Sequence, residues 1–138
     1  MTALGPPRTA EYPAADPAVA AAHFTARLAF ETDPDDLHTD LAAGVPVVVV
    51  VDARTPEAYA NGRLPGAINL PHRTIDAVTT SELPRDRLVV VYCAGPACNA
   101  STKGAAKLAA LGFSVKELVG GLEHWRRSGY PLELDPPH

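Results

Sequence analysis

Cys93 and Cys98 are the only two thiols in the chain, and they share one short loop. A strand-forming run, Leu88-Val89-Val90-Val91-Tyr92, leads into Cys93. The loop then runs through small residues, Ala94-Gly95-Pro96-Ala97-Cys98-Asn99-Ala100, and a helix-like stretch follows from about Ser101 to Leu111. This order leaves a thiol at the carboxyl end of a buried strand, facing a helix amino terminus. Unpaired backbone N–H groups and the helix dipole favour an anion there. A free cysteine has a pKa of about 8.5, and such surroundings lower it to roughly 3.5–7.5. One reading of Cys93 is therefore a reactive thiolate in a cradle of backbone amides; the other is a buried cysteine acting as a small hydrophobe. The spacing to Cys98 matches neither a C-x-x-C redox pair nor a zinc pair. The histidines, His23, His38, His72, His124 and His138, show no ligand spacing. No metal and no cofactor are expected.

Such a thiol needs a scaffold, and strands alternate with helices along the chain. Asp16-Pro17 marks a helix start running to about Phe30, with Phe24 and Leu28 expected to pack inward. Asp33-Pro34 repeats the signal, with Leu37 and Leu41 as the inner face and Gly44 as the stop. The run Val45-Pro46-Val47-Val48-Val49-Val50-Val51 ends at Asp52, and its lack of alternation predicts a strand covered on both faces. Thr55-Pro56 opens a third helix, with Tyr59 inward and Gly62 past its end. Ala67–Leu70, Leu88–Tyr92 and Ser114–Val119 are further strand candidates, and a last helix spans about Leu122–Ser128. The fold class is α/β, with a mostly parallel central sheet and helices on both faces. Ligands of such sheets bind beyond the carboxyl ends of the strands, where both Asp52 and Cys93 stand.

Composition narrows the function classes. The chain has 138 residues, 46% hydrophobic and 20% charged, as in one ordinary globular domain. A net charge of −4 without a basic cluster argues against nucleic acid. No apolar run approaches the roughly 20 residues that span a bilayer, so no membrane is expected. The amino terminus has no secretory pattern, which predicts a cytoplasmic protein. Residues 1–15, rich in Pro and Ala, read as a flexible arm before a domain at 16–138 with an extra first helix.

Four stretches over about residues 34–133 together resemble the rhodanese family of single-domain sulfurtransferases, a three-layer sandwich. They are Val51-Asp52-Ala53-Arg54 with Glu57 and Tyr59, and Gly62-Arg63-Leu64-Pro65-Gly66-Ala67-Ile68-Asn69-Leu70-Pro71. Tyr92-Cys93 with its loop is the third, and Gly120-Gly121-Leu122-Glu123-His124-Trp125 through Gly129-Tyr130-Pro131 the fourth. The resemblance implies a sulfurtransferase carrying sulfane sulfur as a persulfide on Cys93. A thiosulfate or persulfide donor would load it, and a thiol, borne by a small molecule or a protein, or cyanide would unload it. The anion-binding loop would be Ala94, Gly95, Ala97, Cys98, Asn99 and Ala100, through backbone N–H groups that Pro96 lacks.

Departures from the family pattern shape that expectation. Arg63 stands where a histidine is usual and reads as structural. The segment from Cys93 to Gly112 is longer than in compact members, so a reshaped loop is expected. The loop carries no Arg or Lys, so thiosulfate is expected to be a poor donor; Lys103 is the nearest basic residue.

Other residues have two readings each. Cys98 could attack the Cys93 persulfide, release sulfide and close a disulfide; the favoured reading is a small side chain packed at the loop base. Asp52 could orient an active-site group from its strand end as an accessory residue; the favoured reading is that it fixes the following turn. Arg54 could pair with Glu57 or guide an anion as an accessory group. Asn99 and Ser101 compete to cap the next helix. Trp125 and Tyr92 are read as packed residues and His124 as solvent-facing. A non-catalytic persulfide- or redox-sensing module that binds a partner is the alternative function. A phosphatase or arsenate reductase is disfavoured, because Asn99 stands where the anion-clamping arginine belongs.

Overall fold

The computed structural model describes residue 5, residues 7–44 and residues 48–136. Proline fixes φ near the helical value and lacks the N–H that a first helical turn leaves unpaired. Helices accordingly start at the marked prolines: α1 (Pro17–Phe30), α2 (Pro34–Ala42) and α3 (Pro56–Ala60). Asp16, Asp33 and Thr55 cap them, accepting backbone N–H groups at 3.3, 2.8 and 3.2 Å. The strands are β1 (Glu31–Thr32), β2 (Val48–Asp52), β3 (Ile68–Asn69), β4 (Leu88–Tyr92) and β5 (Val115–Leu118). Two further helices, α4 (Ala100–Ala110) and α5 (Gly121–Arg127), follow β4 and β5. A single 3-10 turn, Arg8–Ala10, lies in the stretch read as an arm, whose residues 1–4 and 6 fall outside the described residues. So does 45–47, the start of the first valine-rich run.

The strands form one all-parallel sheet in the order β1-β5-β4-β2-β3. Val51 lies beside Val91 and Asp52 beside Tyr92, so β2 and β4 end level. Side chains alternate across the sheet, which divides the core in two. Val49, Val51, Val89 and Val91 pack with Leu70, Ile75, Leu108 and Phe113 on one face. Val50, Val90 and Tyr92 pack with Leu37, Leu64, Leu122 and Trp125 on the other. The unalternating valine runs are thus strands buried on both sides, as expected. Among the described residues, no helix is long and apolar enough to cross a membrane.

Two features depart from the sequence reading. Phe24 and Leu28 do not pack inward; they are 58% and 72% exposed, and α1 has no buried residue. Its half-buried positions are Ala20 and Ala26, so small side chains carry its contact with β1 and β5. The edge strand β1 was not anticipated, because Glu31-Thr32 is too short and polar to carry a strand signal.

Candidate active site

The end of β4 delivers Cys93 to the floor of a cleft, where it is 2% exposed. Two glycines from the next β–α turn make this possible. Gly120 and Gly121 have φ of 78° and 59°, and a Cβ on Gly121 would lie 2.4 Å from the Cys93 carbonyl oxygen. Without that side chain, the first N–H groups of α5 reach the loop. Leu122 donates to the Cys93 carbonyl and Glu123 to that of Ala94, each at 2.9 Å. The backbone on both sides of the sulfur is therefore held by a helix terminus rather than by side chains.

The sulfur's own neighbours are mostly acceptors. Cys93 Sγ lies 3.1 Å from the Cys98 carbonyl oxygen, 3.8 Å from that of Gly95, and 3.3 Å from Ser101 Oγ. Ser101 and Thr102 each donate to Glu117 Oε2 at 2.9 Å. In the resting thiol these contacts fit the second of the two readings of Cys93, a buried thiol, better than an amide-cradled thiolate. Burial pushes the Cys93 thiol above its ordinary value, and the Ser101 N–H only partly opposes that rise. Cys98 goes the other way. Burial works against its anion, but the Ala100 and Ala94 N–H groups, the Cys93 thiol and the charge of Lys103 together pull it below its ordinary value. The anion-favouring surroundings gather on the second cysteine.

Cys98 is exposed, so it does not pack at the loop base as the favoured reading had it. Its N–H donates to the Gly95 carbonyl at 3.1 Å, closing a turn. Ala94 and Ala97 are exposed on the outer side of this turn with Glu123 beneath them. A Cβ on Gly95 would meet Glu123 Oε2 at 2.7 Å, so any larger residue there would push that exposed carboxylate aside. Asn99 occupies the cap position of α4 but makes no side-chain cap, and Ala100 opens the helix against the core. Ser101, read as a rival cap, instead turns inward to Cys93 and Glu117.

Asp52 and Arg54 form a separate unit. Asp52 is fully buried; it accepts the Arg54 N–H at 2.9 Å, the Arg54 guanidinium at 2.7 Å and the Tyr92 hydroxyl at 2.6 Å. Arg54 also donates to the Gly62 carbonyl at 2.6 Å. It pairs with Asp52, not with Glu57 one turn on. Burial and the Asp52 charge raise the Tyr92 phenol, which stays a donor. This unit fixes the turn after β2, as read for Asp52. Arg63 is structural too, holding Asp135 at 2.6 Å and stacking over Tyr59. Trp125 is buried and His124 exposed, as expected.

The cleft over Cys93 has a volume of about 230 Å³. Ser101, Glu117, Gly121, Glu31 and Arg27 line it with the loop. Arg27 comes from α1 and pairs with Glu31 at 3.0 Å. Ser101, Glu117, Glu31 and Arg27 were absent from the candidate site residues. Neighbourhood in sequence finds only Ser101; the rest arrive through sheet order, which sets β5 beside β4 and β1 beside β5.

The family model described as Rhodanese-like domain matches residues 33–128, a span that contains this whole loop. The chain belongs to the rhodanese-like domain family. A sulfurtransferase of Allochromatium vinosum is 39% identical over 103 residues, 74% of this chain and 92% of that one. The crystal structure of the BH2092 protein of Bacillus halodurans superposes with a TM-score of 0.84 at 44% identity, covering 86% of this chain and 87% of that one. The HTH-type transcriptional regulator Rv0324 of Mycobacterium tuberculosis is 37% identical over 90 residues; these are 65% of this chain but 39% of that protein. Family and relatives support sulfurtransferase chemistry at the family level, and the resemblance read from the four sequence stretches holds.

Proposed function

We propose that this rhodanese-like domain is a sulfurtransferase that carries sulfane sulfur as a persulfide on Cys93. The observation that carries this reading is the line Cys93 Sγ, Ser101 Oγ, Glu117 Oε2, with steps of 3.3 and 2.9 Å. Ser101 donates to the carboxylate, so its oxygen can accept from the thiol. A thiol proton thus has a route to a base when Cys93 attacks the outer sulfur of a donor. That attack forms Cys93–S–S⁻ and releases the donor's remainder, sulfite from thiosulfate or a thiolate from a persulfide. An acceptor thiolate or cyanide then takes the outer sulfur and returns Cys93. The loop's N–H groups at Ala94, Gly95, Ala97, Cys98, Asn99 and Ala100 are proposed to hold the loaded anion. Asp52 is proposed to position the floor of the site through Tyr92, and Lys103 to bias the loop's charge.

Glu117 and Glu31 line the cleft and Arg27 is its one cation among the described residues. A dianion such as thiosulfate is therefore a weaker donor than a persulfide of low charge, free or protein-borne. Intact-mass measurement after exposure to each donor tests the proposal. A gain of about 32 Da, one sulfur atom, is expected; it disappears in Cys93→Ala and is discharged by cyanide. Transfer is wrong if the adduct forms but no thiol or cyanide removes it. The relative named as a transcriptional regulator favours a sensing module in that outcome.

A further inference from the structure

We infer that Cys98 is a resolving cysteine, which expels the carried sulfur as sulfide and closes a disulfide with Cys93. This rests on the proposed Cys93 persulfide and adds a second fate for it. The two residues are already placed for it. Cys93 Sγ lies 3.1 Å from the Cys98 carbonyl oxygen, which puts the Cys98 Cα within about 5.5 Å of that sulfur. A disulfide needs Cα atoms roughly 4.4–6.8 Å apart, and the exposed turn that carries Cys98 is the part that must move to bring its sulfur onto Cys93. Cys98 sits in an exposed loop turn closed by one hydrogen bond, from its own N–H to Gly95. It also lines the cleft over Cys93 together with Ser101, so a persulfide on Cys93 shares that cleft with it.

The surroundings of the pair match the roles. The amides of Ala94 and Ala100 and the charge of Lys103 favour a Cys98 anion, and a thiolate is the attacking species in exchange. The step balances without an outside oxidant. Cys98 sulfur attacks Cys93 Sγ, and the new Sγ–Sγ bond replaces the bond to the outer sulfur. That bond's electron pair leaves with the outer sulfur, which departs as HS⁻ because the persulfide has taken up the proton that Cys98 gave up on becoming a thiolate. The two cysteine sulfurs are oxidised and the sulfane sulfur is reduced by two electrons. Two small thiols, oxidised to their own disulfide, return the protein to its starting state. An acceptor that arrives quickly takes sulfane sulfur; without one, the domain emits sulfide and locks.

The test compares wild type, Cys98→Ser, Cys98→Ala and Cys93→Ser after loading with glutathione persulfide and rapid desalting into buffer free of thiols. Wild type should lose its gain of about 32 Da, become about 2 Da lighter than the reduced chain, and release about one sulfide per chain. Both Cys98 variants should keep the gain on Cys93 and release none. Wild type holding its sulfur on Cys93 as long as the Cys98 variants do overturns resolution while leaving the persulfide reading standing, whereas sulfur mapping to Cys98 instead of Cys93 overturns both. A failure of every variant that retains Cys93 to gain sulfur from any donor overturns the persulfide reading itself, and resolution with it. Cys93→Ser should form neither adduct nor disulfide.

Discussion

Cys93 meets two carbonyl oxygens and a hydroxyl, so its proton is held in place while no donor is bound. Reactivity must then rise with pH. Because its pKa is raised, the thiolate is the minor form at neutrality and grows about tenfold per pH unit until the pKa is passed. Iodoacetamide labelling, read by fragmentation of the peptide that holds both cysteines, should show Cys93 still accelerating above the ordinary thiol value of about 8.5. Cys98, whose pKa is lowered, should level off at a lower pH than Cys93. A Cys93 plateau near pH 7 contradicts the loop arrangement. The Ser101 relay has its own signature: Ser101→Ala should slow loading by about 100-fold or more, the usual scale of general base assistance, while cyanide discharge changes little. Equal slowing of both half-reactions points to a collapsed loop instead. Asp52 belongs to stability. Asp52→Ala leaves the nearly buried Arg54 guanidinium without its carboxylate, and breaking such a pair costs roughly 3–5 kcal/mol. Urea unfolding should show that loss; a change under about 1 kcal/mol, the worth of an exposed pair, means Arg54 is far more solvated than the packing implies.

The β–α turns decide what those residues can do. Gly121 is the point where α5 touches the loop, and Gly121→Ala drives a methyl into the Cys93 carbonyl. Overpacking of this kind costs roughly 1–3 kcal/mol, with a further 1–2 kcal/mol or so for a left-handed alanine. Sulfur loading should fall with stability in this variant, because the Leu122 and Glu123 N–H bonds to the loop are lost together. Undiminished loading excludes α5 as the loop's brace. Much at this scale was legible in sequence. Unbroken valine runs announce doubly covered strands, and each Asp-Pro or Thr-Pro pair marks a helix start, since capping and φ restriction are local effects. What sequence concealed was longer in range. The inner face of α1 is alanine, so its large apolar residues pointed the reading to the wrong side. Glu117 and Arg27 reach the cleft only through strand order, which leaves no local trace. The Cys93–Cys98 loop was located correctly but its peptide orientations were not, because carbonyls and amides alternate along any backbone and small residues do not dictate which faces the sulfur.

Charge acts over the whole molecule. The chain carries −4 overall, and Glu117 and Glu31 face the cleft against the single arginine that Glu31 already pairs. Thiosulfate is a dianion and must approach through this field, whereas a persulfide of cysteamine brings a compensating ammonium. Repulsion between exposed charges is screened beyond about 10 Å at 0.1 M salt. Raising sodium chloride from about 0.02 to 0.3 M should therefore increase kcat/KM for thiosulfate by roughly 2- to 5-fold and leave that for cysteamine persulfide unchanged or lower. Arg27→Ala should depress thiosulfate use further while sparing the cationic donor, since it removes the cation that lines the cleft and frees Glu31. The opposite salt response, thiosulfate use falling as salt rises, means that Arg27 outweighs the carboxylates. The cleft would then select for dianions, and the preference for a low-charge persulfide would fall, although the Cys93 chemistry beneath it would not.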